Sequence, residues 1–228
     1  MLLTLFTGFL LGLSIPAVAS RFGKILPADP GLVLATFWHK PHFPQAHNTK
    51  RAKLLKLKWI KISLFSIVWS IILMFLFGCA YKFIGAEYII WSGMFLYIVA
   101  LSMAVDQQYY LLPDFLTVPL LFLGFGFAIF TNLLTPQNAF FGALFGYTLS
   151  TLSVFVMNLF RKAEFGAGDV KMVTALGAWL GYMGLNLTLV LSFAFFSLWA
   201  IWRHKRTGAF GPALGLAAIL ILFFQYIK

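Results

Sequence analysis

Eight apolar segments follow one another along the chain, at about residues 2–19, 62–80, 88–105, 115–133, 139–160, 171–184, 186–202 and 209–226. Only one connection, 20–61, is long. A soluble domain cannot be built this way. Hydrophobic residues make up 61% of the 228 and charged residues 10%, whereas a water-facing surface goes with roughly 25% charged residues. Segments of about 20 apolar residues joined by short turns suit a bilayer, where a helix satisfies its own backbone hydrogen bonds. The expected fold is all-α, a polytopic transmembrane bundle of about eight spans, with 1–228 forming a single integral membrane domain. A tight turn around Gly184-Leu185-Asn186 is expected to divide the sixth segment from the seventh.

Charge gives the orientation. Nine of the seventeen basic residues fall in one stretch: Arg21, Lys24, Lys40, Lys50, Arg51, Lys53, Lys56, Lys58 and Lys61. The first apolar segment has no basic residues before it, so it reads as an uncleaved helix with its N-terminus outside. The basic stretch is then cytoplasmic, together with Arg161, Lys162, Lys171, Arg203, Lys205 and Arg206, and only Lys82 and Lys228 face outside. Such asymmetry is the positive-inside pattern. The net charge of +11 is therefore read as contact with anionic membrane lipids and not with nucleic acid, for which no recognition module accompanies it. Residues 20–61 read as a basic cytoplasmic loop, rich in proline, whose end from Lys50 to Lys61 forms an interfacial helix leading into the second span. His39, His42 and His47 in this loop fit no strong metal pattern, and with the single Cys79 no cysteine-based zinc site can form. No metal is expected. Gly8, Gly12, Gly142 and Gly146 stand at the small-xxx-small spacing of close helix packing.

Acidic residues number only six: Asp29, Glu87, Asp106, Asp114, Glu164 and Asp169. The last four lie in two turns expected on the cytoplasmic side. A carboxylate forced into a bilayer costs up to about 3 kcal/mol, so one kept at a span end is a functional candidate. Two carboxylates that meet closely cannot both ionise easily, and one then keeps its proton. Such a pair can activate water and protonate an amide. The first turn runs Asp106-Gln107-Gln108-Tyr109-Tyr110-Leu111-Leu112-Pro113-Asp114, and the second runs Glu164-Phe165-Gly166-Ala167-Gly168-Asp169-Val170-Lys171. Gly166 and Gly168 are expected to shape the second turn by adopting conformations closed to other residues. Asp114, after Leu-Pro, is expected to N-cap the fourth span, with direct participation in the chemistry as its second reading. Glu164 reads as a solvated partner of Arg161 or Lys162. Lys171 has three open readings: tuning Asp169, contacting substrate backbone, or snorkelling to the interface.

These two runs, with Leu176-Gly177-Ala178-Trp179-Leu180-Gly181 and Phe210-Gly211-Pro212, resemble the type IV prepilin peptidases, the GxGD-type intramembrane aspartyl proteases of bacteria. The likeness extends from about residue 88 to the end, so 88–228 reads as a catalytic helical core. The resemblance implies that Asp106 and Asp169 are the catalytic pair of an aspartic endopeptidase in the inner membrane, with its active site facing the cytoplasm. Its substrates would be type IV prepilins or pseudopilins, cut after the glycine that ends a basic leader. Many members then N-methylate the new terminus with S-adenosylmethionine. This chain departs from the family in lacking Cys-x-x-Cys pairs in the 20–61 loop, in keeping little of the N-terminal run, and in having Gln108 where a second aspartate is common. Cleavage needs none of these, so S-adenosylmethionine is required only if methyl transfer is retained. Two rival readings are a small proton- or cation-coupled transporter and an inactive pilus-assembly scaffold. The first calls for polar groups deep in the spans, and the second sits poorly with two intact aspartates.

Overall fold

A computed structural model describes residues 1–25, 49–159, 166–204 and 208–226. The described elements are α1 (Leu2–Ile25), α2 (Thr49–Phe83), a 3-10 turn (Ala86–Tyr88), α3 (Ile89–Tyr109), α4 (Asp114–Phe130), α5 (Pro136–Leu159), α6 (Ala167–Arg203) and α7 (Gly211–Tyr226). By length and composition, five helical stretches can cross a membrane: Leu2–Ser20, Leu64–Phe83, Ala86–Tyr109, Pro136–Val156 and Ala167–Arg203. Asp114–Phe130 and Gly211–Tyr226 are shorter apolar helices. Among the described residues, these seven helices include one, Ala167–Arg203, that is itself two helices joined at Gly181. The chain is an all-α, multi-pass membrane protein. The histidines of the long loop lie outside the described residues, and so does Glu164.

Two compact units divide the chain, Met1–Gly78 and Cys79–Lys228. In the first, α1 packs on α2 through its glycines. A methyl group at Gly12 would fall onto the backbone of Trp69 and Ser70, and one at Gly8 would press on Leu73 and Phe77 at 3.0 Å. The small-residue spacing therefore serves close packing, as expected. Helix α2 continues without a break from Thr49 to Phe83, so the basic 50–61 segment and the second apolar segment are one rod.

The second unit, α3 to α7, is built around Trp179. Its ring is fully buried, with centroids 5.0 Å from Phe95 and 5.1 Å from Phe127. The indole N–H donates to the Leu120 carbonyl at 2.7 Å, and the Tyr226 hydroxyl donates to the Trp179 carbonyl at 3.0 Å. One residue thus pins α3, α4, α6 and α7 together, through its ring and its carbonyl. Buried indoles need such a partner.

Helix α6 is two helices joined at Gly181, which has φ 67 and ψ −176. Contacts with α5 reveal how they run. Gly142 lies against Gly177 and Gly181, and Gly146, one turn later, lies against both Val173 and Leu185. Moving along α5 therefore descends the first half of α6 and ascends the second, so α6 doubles back. The reversal falls at Gly181 and not at Gly184-Leu185-Asn186, which are helical. Two features select it. Only glycine adopts this φ without strain, and the Tyr182 N–H donates to the Asn138 side chain at 3.0 Å. The bond gives the amide freed at the start of the second half a partner from α5.

Candidate active site

Asp106 stands in the last turn of α3 and is only 5% exposed. Its Oδ2 accepts a hydrogen bond from the Gly211 N–H at 2.7 Å. Gly211 is the first residue of α7, where backbone N–H groups have no intrahelical partner. Pro212 follows, at a position where a missing N–H is harmless. The approach is close: a methyl at position 211 would sit 2.6 Å from Asp106 Oδ2 and 3.0 Å from its Cβ. Phe210 packs on Phe193 and Phe196, with centroids 5.4 and 5.7 Å away, and so fixes the start of α7. Phe210-Gly211-Pro212 had entered the sequence reading only as part of a resemblance. Its work is to present one amide to Asp106.

Helix α3 stops at Tyr110, a left-handed residue at φ 54 whose N–H donates to the Asp106 carbonyl at 2.8 Å. Left-handed backbone is uncommon outside glycine, and here it turns the chain toward Leu112. Leu112 is where the two turns meet. A methyl at Gly168 would sit 2.8 Å from Leu112 Cβ and 3.0 Å from its carbonyl oxygen. The expectation that Gly166 and Gly168 adopt conformations closed to other residues is corrected. Gly166 is ordinary extended backbone (φ −66, ψ 134), and Gly168 is helical. What they supply is room. Gly168 lets the first turn of α6 touch the Leu112 backbone, and Gly166 leaves space for the Asp169 carboxylate, which lies 3.2 Å from where its Cβ would be.

Asp169 is half-buried in the first turn of α6, and its N–H donates to the Gly166 carbonyl at 3.0 Å. A helix N-terminus favours a negative side chain. Gly168, beside Asp169, touches Leu112 in the turn that follows Asp106. The structure thus brings together the turns that adjoin Asp106 and Asp169, residues 63 apart in sequence.

Asp114 and Lys171 also meet, in an ion pair of 2.5 Å. Asp114 is not a cap: Pro113 occupies the N-cap position, and Asp114 is the first helical residue. Because Lys171 is 45% and Asp114 64% exposed, the pair is worth at most about 1 kcal/mol. It does tie the start of α4 to the start of α6, beside the Leu112–Gly168 contact. Gln108 is exposed.

The sequence profile of the type IV leader peptidase family matches residues 93–201. Curated relatives share the printed name "Prepilin leader peptidase/N-methyltransferase". That of Neisseria gonorrhoeae is 35% identical over 153 residues, which cover 64% of this chain and 53% of the relative. The Pseudomonas aeruginosa protein is 38% identical over 139 residues, covering 55% and 46%. The Klebsiella pneumoniae protein is 44% identical over 91 residues, covering 39% and 40%. The chain spans about half the length of the curated relatives it matches. No solved structure matches it. Over residues 93–201, which include Asp106 and Asp169, the chain is similar to the type IV leader peptidase family.

Proposed function

We propose that this protein is an aspartic endopeptidase that removes the leader from type IV prepilins or pseudopilins, with Asp106 and Asp169 as its catalytic residues. One observation carries the reading. In a chain with only six acidic residues, two of them, both inside the family match, adjoin two turns that touch each other at Leu112 and Gly168. In the mechanism, one carboxylate takes a proton from water while the other, protonated, polarises the scissile carbonyl. Water adds to the carbonyl carbon, the amide nitrogen receives a proton, and the C–N bond breaks without a covalent enzyme intermediate. Gly211 N–H orients Asp106, and the N-terminal turn of α6 orients Asp169. Asp114 and Lys171 hold the two turns in register. On this reading 88–228 is the catalytic core, 20–61 is cytoplasmic and contacts membrane lipids, and the site faces the cytoplasm of a bacterial inner membrane. The distribution of basic residues supports that orientation.

The relatives' printed names include a methyltransferase activity, which draws its methyl group from S-adenosylmethionine. That cofactor calls for polar partners for its ribose hydroxyls and its amino-acid end. A cavity of about 560 Å³ among the described residues is lined by Asn138, Phe141, Leu144, Phe145, Thr148 and Tyr182, with no acidic side chain. Asn138, Thr148 and Tyr182 are polar, but none is a carboxylate able to accept from both ribose hydroxyls, so the lining does not fit the cofactor. We infer cleavage as the activity of the described part of the chain and derive no step through methyl transfer.

The test is co-expression with a candidate prepilin, followed by gel resolution of precursor and mature forms. Asp106→Asn and Asp169→Asn are each expected to leave only precursor. Persisting cleavage in either variant refutes the assignment of the pair.

A further inference from the structure

A hydrogen bond survives only small displacements of its donor, because it weakens steeply with distance and angle. The 2.7 Å bond from the Gly211 N–H to Asp106 Oδ2 therefore needs the backbone just before Gly211 to be held in place. The Phe210 carbonyl accepts the Leu214 N–H at 3.0 Å, so α7 starts from Phe210. That bond lies within α7 and moves with it. The anchor must come from another element.

The second half of α6 supplies one. Phe193, Phe196 and Trp199 recur every three residues, which makes a row about 9 Å long on one side of the helix. Phe196 and Trp199 stack, with centroids 5.9 Å apart. Phe210 lies against the first two rings, tilted on Phe193 and edge-on to Phe196. Gly208 meets the third, since a methyl there would fall onto the Trp199 ring. Residues 208–210 are thus laid along the row, and they end one residue before the amide that reaches Asp106. Tilted and edge-on contacts are the favourable ones between aromatic rings. Within a bilayer, packing of this kind is what holds one element on another. Phe193 is 56% exposed. An exposed ring without a special partner is replaced at little cost; Phe193 differs in having Phe210.

We propose that Phe193 is a positioning residue, the first of a row with Phe196 and Trp199 that holds residues 208–210 and so aims the Gly211 N–H at the Asp106 carboxylate. The second half of α6 thereby sets the geometry of a site to which it contributes no reacting group. The inference rests on the catalytic role proposed for Asp106, which it deepens.

Two measurements test it. The first needs no substrate and does not respond to lost stability. In infrared spectra of the purified protein, the carboxyl band that disappears in Asp106→Asn is expected to shift in Phe193→Ala. It should stay in place in Phe224→Ala, a ring 75% exposed on α7 but thirteen residues beyond Gly211. An unmoved band in Phe193→Ala overturns the link. The second is cleavage kinetics. Phe193→Ala is expected to lower kcat about three- to tenfold, with KM nearly constant, while Phe193→Tyr, which keeps the ring, retains the wild-type rate. Because Phe193 acts through Phe210, its removal should add little in a Phe210→Ala chain. A wild-type kcat in Phe193→Ala, or losses that multiply fully in the double variant, overturns the positioning role. Should the alanine variant not fold, Phe193→Val, which stays apolar in the bilayer, carries the same expectations. Should Asp106→Asn still cleave, the functional reading fails instead, while the infrared result still judges the link from Phe193 to Asp106.

Discussion

Replacing Gly211 by alanine tests the geometry of the site most directly. The added methyl would sit 2.6 Å from Asp106 Oδ2 and 3.0 Å from its Cβ and Cγ, against the roughly 3.5–4 Å at which such atoms rest in contact. Either α7 or the carboxylate must withdraw by about 1 Å, since the clash is with the base of the side chain and cannot be relieved by a rotamer change alone. The 2.7 Å hydrogen bond from Gly211 N–H then lengthens beyond the range in which such bonds count. Hydrogen bonds to charged groups contribute about 1.5–3 kcal/mol, so leader cleavage is expected to fall about tenfold to a hundredfold. Gly215→Ala is the matched control. It adds the same methyl to the same helix, one turn on, but the added atom meets chiefly the flexible side chain of Met103. Its cleavage rate should stay within about threefold of wild type, because methionine repacks readily. The assay is single-turnover cleavage of a purified prepilin in nanodiscs, with thermal unfolding measured in parallel. Equal rates for the two variants would refute the claim that position 211 acts through Asp106.

Gly168→Ala drives a methyl to 2.8 Å from Leu112 Cβ and should separate the two turns, reducing cleavage by about tenfold or more; replacing Leu112 by glycine in the same chain, which removes that Cβ, should restore part of the rate, and no restoration would refute contact as the cause. Lys171→Met or Asp114→Asn should change stability by less than about 1 kcal/mol, because the pair is exposed, and the charge-swapped double variant should melt like wild type in a thermal scan. Gly181→Ala puts a side chain at φ 67 and within 2.8 Å of the Asn138 amide. The left-handed conformation alone costs about 1–2 kcal/mol, so the melting temperature should drop by roughly 2–8 °C.

How much of this was legible in the sequence depended on range. Asp106 and Asp169 stood out because carboxylates are rare in an apolar chain, and each sits at the end of a hydrophobic run that is visible locally. The same runs predicted the helices, although their ends shifted wherever a partner from elsewhere decides the matter. Gly181 rather than Gly184 became the reversal in α6 because Asn138, from α5, takes up the freed Tyr182 amide; nothing near Gly181 in the chain announces that. Asp114 looked like a cap, but its partner Lys171 lies 57 residues away. The largest omission was Gly211, 105 residues from the carboxylate it serves. Gly166 and Gly168 were visible as a motif, yet their reason was not. A motif displays glycine, and only packing tells whether glycine is there for its dihedral angles or for the absence of a side chain.

That distinction explains how so apolar a molecule holds two acidic groups. An ion pair in the interior demands desolvation of both charges, and its mutual attraction often fails to compensate. Here the ion pair of Lys171 with Asp114 is on the exposed side, while the buried Asp106 is held by a backbone amide at the start of α7. Such an amide is free because a helix begins there, so it adds no further polar group to the bundle. Reaching the carboxylate at 2.7 Å requires that no Cβ intervene, which makes glycine at 211 a condition of the contact. A neutral donor also orients the carboxylate without supplying a full countercharge. The acid therefore keeps the ability to exchange a proton with water, which a buried lysine in the same position would take away.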